Sequence, residues 1–65
     1  MEIQFQEAIL AIVVKKEDRE KAGGGVPIFV TENEEEKIRV AQTLASVLKG
    51  MVHDLGNGVF ILVKH

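Results

Sequence analysis

His53 and Asp54 stand side by side in a chain whose only other histidine is His65, and they supply the side-chain types of a base and its orienting carboxylate. Adjacent residues of a strand point to opposite faces. Within one chain they therefore form no dyad, and a small oligomeric enzyme would have to combine His53 of one copy with Asp54 of another. The chain has no Cys, which removes disulfides and thiolate metal ligands. His53 and His65 lack the spacing of a metal motif, so no metal or cofactor is expected. Ser46, Thr31 and Thr43 sit in or at the start of a helix-forming segment with no base beside them in sequence. No residue is assigned as catalytic, and the reading leans away from an enzyme.

Lys15 and Lys16, followed by Gly23-Gly24-Gly25, are the residues best suited to an anionic ligand. A glycine cradle for phosphate needs a helix directly after it, whose N-terminus faces the anion. Here Val26-Pro27-Ile28-Phe29-Val30 follows and reads as a strand, which argues against a nucleotide loop. These lysines and glycines, with His53 and Asp54, remain the candidates for a small-ligand pocket between subunits.

The elements that would position these groups are legible in the hydropathy pattern. Ala8 to Val14 is apolar at every position and rich in β-branched residues, the mark of a strand covered on both faces. The competing reading is one helix from about Gln4 through Lys21, ended by Gly23. Residues 15–25 are charged and then glycine-rich and are expected to form a mobile hairpin loop. Pro27 places the next strand at a sheet edge. Thr31-Glu32-Asn33-Glu34 has the form of a capping box with Thr31 as N-cap, and Gly50 marks the stop. Between them Ile38, Ala41, Leu44, Ala45 and Leu48 form a stripe, and Val40 and Val47 widen it. Asn57-Gly58 between two apolar runs predicts a two-residue hairpin, with His53 opposite Leu62 and Asp54 opposite Ile61.

A single ββαββ domain over residues 1–65 results: a small α+β fold with a four-stranded mixed sheet. The two fully apolar strands take the centre and the strands of Pro27 and His53 the edges, giving the order 2-1-4-3 with a parallel central pair. One helix covers one face. The other face then calls for a second copy of the chain, with Val40, Val47, Ile61 and Val63 as interface residues.

With 65 residues, 10 acidic and 8 basic, the net charge of −2 leaves no basic footprint for nucleic acid. Three phenylalanines and no Trp or Tyr make a poor base-stacking platform. No segment is long and apolar enough for a membrane span, and the acidic start is unlike a signal peptide, so a cytoplasmic location is expected. The expected function is a protein-interaction or assembly module, homo-oligomeric or docked on another protein, as an accessory or regulatory subunit. The alternatives are the interface ligand pocket and the two-chain enzyme.

Overall fold

A computed structural model describes residues 9–64. Ala8, Gln4 and His65, on which some of the expectations rest, lie outside the described residues. The elements are β1 (Ile9–Lys15), a 3₁₀ helix (Lys16–Lys21), β2 (Ile28–Thr31), α1 (Glu34–Leu48), β3 (Gly50–Asp54) and β4 (Val59–Lys64). The four strands form one mixed sheet in the order β2-β1-β4-β3 with α1 as the main helix, the α+β architecture that the sequence predicts. Continuous apolar runs do mark the central strands: Ala11 to Val14, Val59, Phe60 and Leu62 are buried.

The strand directions differ from expectation. β1 and β2 run parallel, with Ile12 beside Ile28 and Val14 beside Val30, and the central pair β1–β4 is antiparallel. Lys16–Pro27 is thus a crossover and not a hairpin loop. Parallel neighbours need a connection of about a dozen residues, and this one has structure of its own in the 3₁₀ helix.

The crossover also changes the account of the second face. On the helix side Ala11, Val13, Ala41, Phe60 and Leu62 form one cluster, with Val40, Leu44, Ala45 and Val52 against it. On the far side Ile12, Val14 and Val59 form another, and Ala22 and Val26 of the crossover pack on it beside Ile9, Ile28 and Ile61. The chain therefore supplies part of its own second cover, and a second copy is not required to bury Ile12, Val14 and Val59.

Both ends of α1 are set by residues next to the expected ones. Asn33, not Thr31, is the N-cap: its side chain accepts from Glu36 N at 2.8 Å, and Glu36 Oε1 accepts from Glu32 N at 2.7 Å. Thr31 is still part of β2, buried, and its hydroxyl donates to Val14 O at 3.0 Å. At the other end Lys49 takes the left-handed conformation, φ 57°, and its N–H closes on Ala45 O. Gly50 already belongs to β3. It is glycine for a different reason: a Cβ there would sit 2.8 Å from Val63 O.

The β3–β4 register is shifted by one residue. Leu55 N donates to Val59 O at 3.0 Å, Asp54 faces Phe60 and His53 faces Ile61. Gly56-Asn57-Gly58 makes a three-residue turn in which Gly56 and Gly58 have φ of 84° and 96°. Asp54 Oδ1 accepts from Gly56 N at 2.8 Å and Asn57 Oδ1 from Val59 N at 3.2 Å. Two side-chain clamps and two left-handed glycines outweigh the two-residue Asn-Gly turn. One step of slip moves every side chain to the other face, so His53 lies away from the helix and Asp54 toward it.

Candidate interaction surface

The charged residues concentrate at the end of the sheet where β1 finishes and β4 begins, and they are engaged with one another. Lys37 is the centre of this arrangement. It projects from α1 toward the sheet, is 2% exposed, and donates from Nζ to Gly58 O at 3.1 Å. Glu34 Oε1, one turn earlier, lies 3.1 Å from the same ammonium, and the Phe60 ring centroid lies 4.2 Å away. A carbonyl, a carboxylate and a ring face together replace the water that a buried ammonium loses.

A second ammonium holds the same turn from the other side. Lys21 Nζ donates to Asn57 O at 2.8 Å and pairs with Asp18 Oδ1 at 2.9 Å. Asp18 is buried against Gly58, where a Cβ would meet its Oδ2 at 2.5 Å. Lys15 joins the two groups, reaching Glu17 at 3.5 Å and Glu34 at 3.7 Å. The β3–β4 turn is thereby clamped between the 3₁₀ helix and the start of α1.

The Lys21 hydrogen bond, helped by the charges of Lys21, Lys15 and Lys37, holds the Asp18 carboxyl below its ordinary value of 3.8 against the opposing effect of burial. Glu17 chiefly, then Glu34 and Asp18, raise Lys15 above 10.5. For a depressed carboxyl the stabilisation is complete above its unfolded value and disappears as pH falls through the folded one. Denaturant titrations between about pH 5 and pH 2 will therefore show a steeper loss of stability in the wild type than in Asp18→Asn. Parallel curves would remove the clamp as the source of acid sensitivity.

The ligand candidates are distributed as follows. Lys15 is half-buried and committed to Glu17 and Glu34, and Lys16 pairs with Glu32 at 3.3 Å on the surface. Gly23, Gly24 and Gly25 form an exposed stretch with nothing within 4 Å of any added Cβ. His53 and Asp54 are exposed on opposite faces of β3. The structure does not gather these residues into one cleft, and no pocket opens among the described residues. Nor do the described residues hold a group of three or more His, Asp or Glu able to bind a metal ion. Among the described residues no helix is long and apolar enough to cross a membrane.

The four interface candidates also fall on different surfaces. Val40 is half-buried under α1 against the helix-side cluster, Val47 is 69% exposed on α1, and Ile61 and Val63 are half-buried on the far side of the sheet. Ile38 and Leu48, expected in the stripe, are both exposed, because the buried line of α1 runs through Lys37, Ala41 and Leu44. Apolar side chains are also open at both edges of the sheet. Phe29 and Val30 are exposed on opposite faces of the edge strand β2, and Met51 and Leu55 along and just beyond β3.

Lys37 went unnoticed in the sequence, although a signal was present. It sits three residues before Val40 and four before Ala41, on the apolar side of the wheel, where a lysine must either reach out or find a buried partner.

No solved structure matches the chain. It is 29% identical over 65 residues to the uncharacterized protein YpzH of Bacillus subtilis (strain 168), with 100% of this chain and 98% of that protein covered. Residues 6–65 match the model of a family described as "Capping complex subunit for YIEGIA". A match over nearly the whole domain shows the relationship: the chain belongs to the family of capping complex subunits for YIEGIA.

Proposed function

We propose that this chain works by protein–protein contact, as the subunit that docks on YIEGIA in the complex for which its family is named. The match across residues 6–65 carries this reading. The surface supports it, because large apolar side chains lie open on α1 and β2 while the buried polar side chains Asp18, Thr31 and Lys37 are all bonded within the chain. A module that acts by contact needs a rigid frame and an apolar patch, with polar chemistry confined to holding the frame.

Within this proposal the contact residues under test are Phe29, on the helix-facing side of β2, and Val47 on α1. Both are exposed, so a charge there leaves the core intact. The test is co-expression of the tagged chain with YIEGIA, followed by purification on the tag. YIEGIA should be retained by the wild type, and Phe29→Glu combined with Val47→Glu should reduce retention about tenfold or more at unchanged thermal stability. Failure of the wild type to retain YIEGIA would overturn the proposal.

A further inference from the structure

The two edges of the sheet are built differently. β2 is four residues long, and because Pro27 O accepts from Ile12 N, only Ile28 and Val30 turn their backbone groups outward. β3 is Gly50-Met51-Val52-His53-Asp54, with no proline, no lysine and no bulge, and no described strand lies along its outer side. Proteins that keep an edge free of partners usually guard it with such devices.

The hydrogen-bond parity of β3 is known. Leu55 N donates to Val59 O, so in the alternation of an antiparallel ladder His53 and Met51 turn their backbone groups toward β4. Gly50, Val52 and Asp54 therefore turn theirs outward. An antiparallel partner centred on Val52 engages every one of these groups when it is the same sequence: Val52 meets Val52, and Gly50 meets Asp54 in both directions.

Side chains agree with that register. Lys64 of β4 lies opposite Gly50, so a second copy puts its Asp54, this chain's Gly50 and this chain's Lys64 in one row on the helix-facing side. Gly50 has no side chain to stand between the two charges. Two strand spacings separate Asp54 of one copy from Lys64 of the other, roughly 10 Å between Cα atoms, which a lysine and an aspartate can bridge. Among the described residues neither Asp54 nor Lys64 has an ion-pair partner in its own chain. On the far face, 46%-exposed Met51 comes to lie beside His53 of the second copy.

We infer that the chain forms a two-fold dimer by antiparallel pairing of β3 with β3 of a second copy, centred on Val52 and fastened by two Asp54–Lys64 ion pairs. The result is a continuous eight-stranded sheet with β2 at both outer ends. This self-association is independent of docking on YIEGIA and is tested on the chain alone.

Light scattering over a concentration series should give a dimer. In that dimer the amides of Val52 and Asp54 should be protected from hydrogen exchange, and should lose the protection on dilution to monomer, while those of Met51 and His53 stay protected throughout. Lys64→Glu and Asp54→Lys should each weaken the dimer about tenfold, because each sets like charges in both rows. An equal mixture of the two variants restores opposite charges in both rows and should associate as the wild type does. The dimer is excluded if the chain is a monomer at all concentrations, if Val52 and Asp54 exchange equally fast in monomer and dimer, or if the mixture associates no better than either variant.

Discussion

Lys37→Ala is expected to lower the unfolding free energy by about 3 kcal/mol, measured by urea denaturation at neutral pH. The lost ammonium leaves Gly58 O without its hydrogen bond, Glu34 without its close partner and the Phe60 face without its cation. It also leaves a void where a long stem was buried, at a further cost from lost packing. Lys37→Met separates the two contributions. It keeps the stem volume and loses the charge-mediated contacts, so it should fall between the wild type and Lys37→Ala. A Lys37→Ala variant within about 0.5 kcal/mol of the wild type would show that the buried ammonium contributes nothing beyond what a surface residue does. In so small a domain a loss near 3 kcal/mol is a large share of the whole stability.

Gly58→Ala should cost about 2 kcal/mol, and Gly56→Ala about 1 kcal/mol, in the same measurement. Both glycines have positive φ, so both substitutions carry the conformational penalty. The difference lies in the neighbours. A Cβ at position 56 meets nothing within 4 Å, whereas at position 58 it meets the Asp18 carboxylate, which Lys21 holds in place. Combining Asp18→Ala with Gly58→Ala should therefore cost less than the sum of the single changes, the signature of two side chains competing for one space. Equal losses at 56 and 58 would mean that Asp18 yields freely and that the clamp is loose.

How far the sequence foretold this fold depends on what kind of information each feature carries. Strand order was legible because burial on both faces writes itself into an unbroken apolar run, and because Pro27 can stand only at an edge or a strand start. Strand direction was not. Whether Lys16–Pro27 turns back or crosses over is decided by Lys21 reaching Asn57, thirty-six residues away, and by Ala22 and Val26 finding the far face of the sheet. Nothing local in a charged, glycine-rich segment distinguishes the two paths.

The caps and the turn show competition between adequate local signals. Thr31 and Asn33 both precede a suitably spaced glutamate. Asn33 prevails because β2 extends through Thr31 and draws its hydroxyl to Val14 O. Asn57-Gly58 is a turn signal, but Gly56 and the Asp54 carboxylate one step earlier recruit a longer turn. The candidate ligand residues were read by type alone. Lys15 and Lys16 have the charge for an anion, yet Glu17, Glu34 and Glu32 occupy them, and two of these three carboxylates come from beyond the glycines.

The antiparallel junction of β1 with β4 joins the earliest described strand to the last one, and every other element packs on that seam. Neither half of the molecule then contains a finished core: Val13 needs Leu62, and Val14 needs Val59. Such a topology folds late and all at once, since the long loop must close before its contacts repay the lost chain entropy. Until that seam forms, β4 is an unshielded apolar strand. The interval between synthesis and closure is thus the time when this chain is most exposed to proteases and to aggregation.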